Sequence, residues 1–157
     1  MSEHFQIQTK KNEGMCMIQL NGHLCEIVQF PDLAHAKNII IDCLSLQSIN
    51  SIGIKVWVHW VSSLRQSKIF LENCPPCLMI QLNQVAGFFT SNMSVGSFWV
   101  PYISERTDET KSVLFRKGTE YSEDGKIIWP PVKDSLGNDM EVDVVESQYF
   151  SFLGKNR

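Results

Sequence analysis

Hydrophobic and polar residues alternate with different periods along the first half of the chain. Residues 5–9 and 15–20 alternate at every second position around a polar turn, which is typical of a β-hairpin that buries one face. Residues 38–43 instead contain three consecutive isoleucines, and this uninterrupted apolar run predicts a strand buried on both faces. From residue 51 the apolar residues recur at steps of three and four, which predicts a helix.

The predicted helix covers residues 51–67 and is amphipathic. Asn50 or Ser51 can cap it by accepting a hydrogen bond from a free backbone N–H group, and Gly53 lies in its first turn. A strand at residues 69–72 then completes a right-handed βαβ unit. Such units present functional groups at the carboxyl end of their first strand, where Asn50 and Ser51 lie. The apolar stripe of the helix is Ile54, Trp57, Val58, Val61 and Leu64.

Two further helices are expected to be shaped by proline. Pro31 interrupts the connection between the hairpin and the central strand, so only a short helix over residues 31–36 is predicted there. Pro75 and Pro76 are expected to start another helix, because proline is favoured in the first helical turn.

The chain is predicted to be an α/β domain followed by a small β-rich appendage. Residues 4–90 supply a mixed sheet, since a hairpin joins parallel strands, and helices cover it. The composition changes near residue 91, and residues 91–157 form a tail that is expected to pack on the first domain. Strand-like segments in the tail are 95–103, 112–116 and 126–129.

The composition of the chain limits the classes of protein to which it can belong. The 157 residues, 43% of them hydrophobic, suffice for one domain with a proper core. The net charge of -3 gives no basic footprint for nucleic acid. The sequence has neither a long apolar span nor a signal-peptide pattern, so we expect a soluble, cytoplasmic protein without a membrane span. The five cysteines are expected to be reduced there, with Cys16 and Cys43 in the core.

A buried strand ending in Asp42 is followed by a polar pair and by Gly53, which opens the amphipathic helix. This order resembles the STAS domain, the fold of bacterial anti-sigma factor antagonists. Residues 17–24 are similar to the family's second strand, and the resemblance extends to about Phe89. The family's turn typically reads Asp-Ser-Ser-Gly, and the matching residues here are Asn50, Ser51, Ile52 and Gly53.

The resemblance implies a non-enzymatic signalling module that binds another protein. In the family, the second Ser of the turn accepts phosphate, whose charge blocks docking on a kinase-type anti-sigma factor. Ile52 stands at that position without a hydroxyl, which implies a partner-switching chain held in the binding-competent state. Ser51 could be a displaced phosphoacceptor, although capping the helix is the favoured role. The implied partner-binding residues are Asn50, Ser51, Ile52, Gly53, Lys55 and Trp60.

Trp60 lies on the flank of the helix, between the apolar stripe and the polar side. This position predicts a partly exposed aromatic side chain that could anchor a protein partner or a homodimer. Core packing is the alternative, since tryptophan is highly buried on average.

The tail keeps Pro101-Tyr102 and a closing aromatic segment at residues 149–153, and it resembles a small zinc ribbon found after some bacterial STAS domains. Ser104 and Thr107 stand where the first cysteine pair of such a ribbon would fall, and no cysteine follows Cys77. Tetrahedral thiolate ligation is therefore impossible in the tail, and no metal or cofactor is expected. Aromatic residues must stabilise the tail instead, namely Phe98, Trp99, Trp129, Phe150 and Phe152.

Two other functions stay open on the sequence. Cys74 and Cys77 open a helix, an arrangement that lowers thiol pKa values in disulfide oxidoreductases. The motif follows the second parallel strand, however, whereas thioredoxin-like proteins carry it after the first, so a structural role is favoured. A small-molecule sensor is the other alternative, with an occupied apolar pocket as its sign. No catalytic residues are predicted, because the sequence has no phosphate loop, nucleophile elbow or paired histidines.

Overall fold

The computed structural model describes residues 4–26 and 28–154, which form two sheets flanked by helices. The strands are β1 (Gln6–Asn12), β2 (Met15–Leu24), β3 (Asn38–Ile49), β4 (Lys68–Glu72), β5 (Met93–Val95), β6 (Ser97–Ile103), β7 (Thr110–Arg116) and β8 (Glu141–Val142). The helices are α1 (Ser51–Ser62), α2 (Pro76–Gln84) and α3 (Glu146–Tyr149), and a 3₁₀ turn follows at Ser151–Gly154. None of the helices in these ranges is long and apolar enough to cross a membrane.

A mixed sheet of five strands forms the centre of the molecule, in the order β1-β2-β3-β4-β5. β1 and β2 pair antiparallel as the predicted hairpin, and every later pair is parallel. β3, α1 and β4 form the predicted βαβ unit, in which Asn38 pairs with Lys68 and Asp42 with Glu72. The predicted mixed α/β architecture is therefore confirmed.

All connections between the parallel strands pass over one face of this sheet. β2, β3, β4 and β5 follow one another in chain order, so each crossover moves in the same direction. Since such crossovers are right-handed, they share a face. On the opposite face Ile40 is only partly buried, so the prediction that residues 38–43 are buried on both faces is wrong. The strand residues of the covered face are fully buried, and include Ile18, Leu20, Ile39, Ile41, Ile69 and Leu71.

The predicted core of α1 is confirmed. Trp57, Val61 and Leu64 are buried, while Lys55 and His59 are exposed on the outer side. The apolar stripe therefore packs on the sheet, as the helical spacing indicated. The two strand cysteines expected in the core, Cys16 and Cys43, are also buried.

Residues 28–37, the described part of the connection leading into β3, contain no helix, so the prediction for residues 31–36 is wrong. The connection has to return along the roughly 30 Å length of β2, and a helix advances only about 1.5 Å per residue. Its described part forms a single turn instead. In that turn the Ala36 N–H donates to the Leu33 carbonyl at 2.9 Å, and the Ala34 N–H donates to the Asp32 carboxylate at 3.1 Å.

Two boundaries differ from those expected. β3 continues to Ile49, because its ladder with β2 persists to the end of both strands. α1 ends at Ser62 rather than at residue 67. At this end the Ser63 hydroxyl donates to the Trp60 carbonyl at 2.6 Å, and bonds of this kind compete with the helical ladder.

The chain beyond residue 90 contributes to both sheets. Residues 93–95, as β5, extend the first sheet beside β4, and the second sheet is antiparallel in the order β7-β6-β8. The strand predicted at residues 126–129 is wrong, because only an isolated bridge joins Ile127 to Tyr121. Pro130 and Pro131 follow directly and cannot donate hydrogen bonds to a ladder.

An aromatic core holds the tail together, with Phe98 at its centre. Phe98, Phe150 and Phe152 are buried, as expected of residues that replace a metal, whereas Trp129 is 43% exposed. Aromatic pairs of this kind each contribute about 0.5–1.5 kcal/mol beyond the area they bury. Five rings lie 5.2–6.2 Å from that of Phe98, those of Phe115, Tyr121, Tyr149, Phe150 and Phe152.

The side chain of Asn83 joins α2 to the tail. Its Nδ2 donates to the Tyr149 carbonyl at 2.7 Å, and to the Met79 carbonyl within α2 at 2.9 Å. Its Oδ1 accepts from the Phe152 N–H at 2.8 Å and from the Ser151 hydroxyl at 2.9 Å. Both the nitrogen and the oxygen of the Asn83 amide are thus hydrogen-bonded. These bonds fix the tail against α2.

A polar cluster around Asp134 lies where the ribbon resemblance would place a metal. The Asp134 carboxylate accepts from the Ser104 hydroxyl at 2.7 Å, the Thr107 hydroxyl at 3.0 Å and the Asn138 backbone N–H at 2.8 Å. Removal from water raises the pKa of Asp134, but the hydrogen bonds from Asn138 and Ser104 outweigh it and hold the pKa well below its usual range. The described residues contain no group of three or more side chains placed to bind a metal ion.

Replacing Asp134 by Ala should lower the midpoint temperature of unfolding by several degrees, because Ser104 and Thr107 lose their buried acceptor. Asp139→Ala is the matched control, since Asp139 pairs with Lys133 at the surface and should matter little. The depressed pKa also predicts that the stabilisation by Asp134 is complete at neutral pH and is lost as the pH falls below about 4. Equal effects of the two substitutions would contradict this role.

Candidate functional site

The turn between β3 and α1 is built around Asn50. The Asn50 backbone is extended, with φ -95° and ψ 176°, and its side-chain oxygen accepts a hydrogen bond from the Gly53 N–H at 2.7 Å. The Asn50 N–H donates to the Leu24 carbonyl at 3.1 Å, and its own carbonyl accepts the first helical bond from Ile54 at 2.9 Å. Asn50 therefore caps α1 and fixes the turn to the end of β2.

At Gly53 the backbone of α1 lies close against the end of β2. A Cβ atom at this position would lie 2.2 Å from the carbonyl oxygen of Leu24. Because that oxygen belongs to the backbone and also accepts the hydrogen bond from Asn50, it has little freedom to move. The glycine is required here for steric reasons, and it sets the position of the residues on either side.

Four of the predicted partner-binding residues form one exposed surface. Asn50, Ser51, Ile52 and Lys55 are all exposed, and Gly53 lies buried beneath them. Ile52 keeps 45% of its surface in solvent. The first turn of α1 holds no acidic residue, so its free N–H groups and Lys55 give this end of the helix a positive character.

The sequence allowed either Asn50 or Ser51 to cap α1, and it left phosphorylation of Ser51 open. Asn50 provides the helix cap, so the prediction that Ser51 caps the helix is wrong. The Ser51 side chain is exposed, next to Ile52 in the chain. Its hydroxyl is therefore accessible to a modifying enzyme.

Trp60 belongs to the core, and its expected exposure is wrong. Only 7% of Trp60 is exposed. Its ring stacks on Phe30 with 4.2 Å between centroids, and its indole N–H donates to the Pro31 carbonyl at 3.0 Å. The extended connection from β2 to β3 covers this flank of α1, which would otherwise face solvent.

The cysteines of the Cys-x-x-Cys motif lie in surroundings that disfavour thiolate. Burial raises the pKa of the Cys74 thiol, and its hydrogen bond with Cys43 raises it further. Burial also raises the pKa of Cys77. Disulfide oxidoreductases depend on a lowered thiol pKa, so the burial of Cys74 and Cys77 does not favour the redox alternative.

Two surface clefts lined partly by apolar residues lie away from the Asn50–Gly53 turn. One cleft of about 340 Å³ is found at the amino end of β2, beside Gly14, Leu33 and His35. Another, of about 350 Å³, lies between α2 and the tail, beside Ile80 and Tyr149. Both are open, and neither includes a predicted site residue.

Known proteins resemble this chain only in part of its fold. No protein-family model matches the sequence, and no curated protein matches it. One solved structure that matches is the crystal structure of an anti-sigma factor antagonist from Mycobacterium paratuberculosis. The two chains are 13% identical, the match covers 50% of this chain and 75% of that one, and the TM-score is 0.40. At this level of similarity, no residue role in that protein can be assigned to a residue of this chain. The zinc-ribbon resemblance of the tail has no support from these comparisons.

Sequence reasoning missed two residues that shape the site, Leu24 and Phe30. Leu24 contributes a backbone carbonyl, which no pattern of side chains reveals. Phe30 offered a signal, because it is a large apolar residue directly before Pro31 in the connection between the hairpin and the central strand. Such a residue had to be buried on something, and the flank of α1 is its partner.

Trp60→Ala should reduce the free energy of unfolding by roughly 3–5 kcal/mol, because it removes a buried ring and its hydrogen bond to Pro31. Trp129→Ala, at the half-exposed ring of the tail, is the control and should cost less. Urea denaturation of both variants measures the difference. A loss below about 1 kcal/mol for Trp60→Ala would show that Trp60 is not a core residue.

Proposed function

We propose that this chain is a non-enzymatic, cytoplasmic signalling module that binds a kinase-type anti-sigma factor, in the manner of an anti-sigma factor antagonist. The observation that carries the proposal is the exposure of Ile52, an apolar residue at the position that the STAS resemblance assigns to the phosphoacceptor. The surrounding turn is well ordered by Asn50 and Gly53. It is thus suited to present one side chain to a protein partner.

The chemistry of Ile52 sets how such a module would be regulated. A phosphoserine carries nearly two negative charges at neutral pH, and phosphate here would release the partner by charge repulsion and desolvation. Ile52 has no hydroxyl and stays uncharged. We infer that the chain binds its partner without the phosphorylation step that switches related proteins off.

The rigidity of the turn supports tight presentation of this surface. The Asn50 cap and the Leu24–Gly53 contact fix the backbone on both sides of Ile52, so little conformational entropy remains to be lost on binding. Isoleucine then acts as a small apolar anchor, with Ser51 and Lys55 as polar neighbours at its rim.

Ile52→Asp should weaken binding to the kinase-type anti-sigma factor at least tenfold, because it imitates the charge of a phosphorylated turn. The fold should be unharmed, since an acidic residue is favourable in the first turn of a helix. The measurement is calorimetric titration of the purified full chain with the candidate partner. Ile128→Asp is the control, because Ile128 is more exposed than Ile52 but lies in the tail.

A phosphorylation assay tests the same assignment independently. With ATP and the partner kinase, Ile52→Ser should be phosphorylated at residue 52 and released, while the natural chain stays unmodified and bound. Phosphate found on Ser51 of the natural chain would move the acceptor by one residue. Binding that is indifferent to Ile52→Asp would overturn the proposed surface.

A further inference from the structure

The face of the five-stranded sheet opposite the helices carries an apolar row. Met17, Ile40 and Phe70 are paired across β2, β3 and β4, so their side chains lie next to one another. Met17 is 45% exposed and Phe70 36%, and Met15 is exposed in the adjacent position along β2. None of the described residues covers this row. A contiguous exposed apolar patch of this kind marks an interaction surface.

Charged residues of opposite sign lie on the two sides of the row. On β4, Lys68 and Glu72 lie two residues before and after Phe70, so all three share the open face. Asp42 pairs with Glu72 and adds a carboxylate on the same side of the row as Glu72. Glu72 accepts from the Ser97 hydroxyl at 2.7 Å, which holds its carboxylate in place. Lys68 has no carboxylate partner among the described residues.

We infer that this face binds a second copy of the chain, about a two-fold axis that lies between the sheets and runs across the strands. This operation places Lys68 of each copy opposite Glu72 of the other, and it brings the two apolar rows together. An axis along β3 would instead place Asp42 of each copy opposite Asp42 of the other and Glu72 opposite Gln19, so these carboxylates would face no cation. The charge pattern therefore selects one self-complementary arrangement.

The size of the patch sets the strength of the contact. Strands lie about 4.8 Å apart, so five strands and three rows of residues cover roughly 400 Å² per copy. Stable complexes bury about 800 Å² per partner, so the dimer is weak and forms only at high concentration. Lys10, on the edge strand β1, stays in solvent at the rim. Since α1 lies on the other face, dimerisation leaves the Ile52 turn free.

Sedimentation velocity of the full chain, from about 10 μM to about 1 mM, tests the inference. The natural chain should pass from monomer to dimer, and Phe70→Glu should weaken the association at least tenfold. Ile80→Glu should leave it unchanged, because Ile80 is somewhat more exposed than Phe70 but lies on α2. A chain that stays monomeric throughout, or a dimer that tolerates Phe70→Glu, would overturn the proposal.

A charge-exchange experiment tests the arrangement itself. Lys68→Glu and Glu72→Lys should each weaken association, because each homodimer then opposes like charges. An equimolar mixture of the two variants should associate as well as the natural chain, since opposite charges again face each other. If both variants keep the natural melting temperature and their mixture stays monomeric, the two-fold arrangement is wrong. If Glu72→Lys unfolds because the Ser97 bond is lost, the Phe70 experiment decides.

Discussion

The start of α1 depends on the contact between the Leu24 carbonyl and Gly53. That carbonyl accepts the Asn50 N–H and leaves no room for a Cβ atom at residue 53. The Asn50 side chain then bonds the Gly53 N–H, so one residue links the end of the sheet to the first turn of the helix. The exposure of Ile52 is a consequence, because Asn50 before it and Gly53 after it are fixed against the sheet.

The order of the strands divides the molecule into two surfaces with different properties. Three successive right-handed crossovers bury one face of the sheet under α1, α2 and the extended connection, and they leave the other face to solvent. The Ile52 turn lies at the carboxyl end of the strands, with α1. The row of Met17, Ile40 and Phe70 lies on the opposite side. The surfaces proposed for partner binding and for self-association therefore do not overlap.

The elements that the sequence predicted well were those with a clear period. The hairpin, the βαβ unit and the apolar stripe of α1 all followed from spacing alone, because burial on one side dictates where apolar residues recur. Three consecutive isoleucines gave a wrong expectation about the second face, since an apolar residue such as Ile40 can also remain on an open surface. The prediction of a short helix over residues 31–36 was wrong because the connection must extend to return along the whole length of β2.

The site was predicted in part. The turn from Asn50 to Gly53 was found from its helix-start signals, which allowed either Asn50 or Ser51 as the cap, and Asn50 is the one that caps the helix. The burial of Trp60 depends on Phe30, which is distant in sequence, so helical position alone could not settle it. The tail shows the same limit, because the bonds from Ser104 and Thr107 to Asp134 join segments about 30 residues apart.

The stability of Gly53→Ala tests the central contact most directly. At an ordinary helical position alanine is favoured over glycine by up to about 1 kcal/mol. Here the account predicts the opposite sign, a loss of roughly 1–3 kcal/mol in the free energy of unfolding, because the methyl group meets the Leu24 carbonyl. Lys55→Ala, at an exposed position of the same helix, should change stability little. A Gly53→Ala variant that unfolds at higher urea concentration than the natural chain would contradict the account.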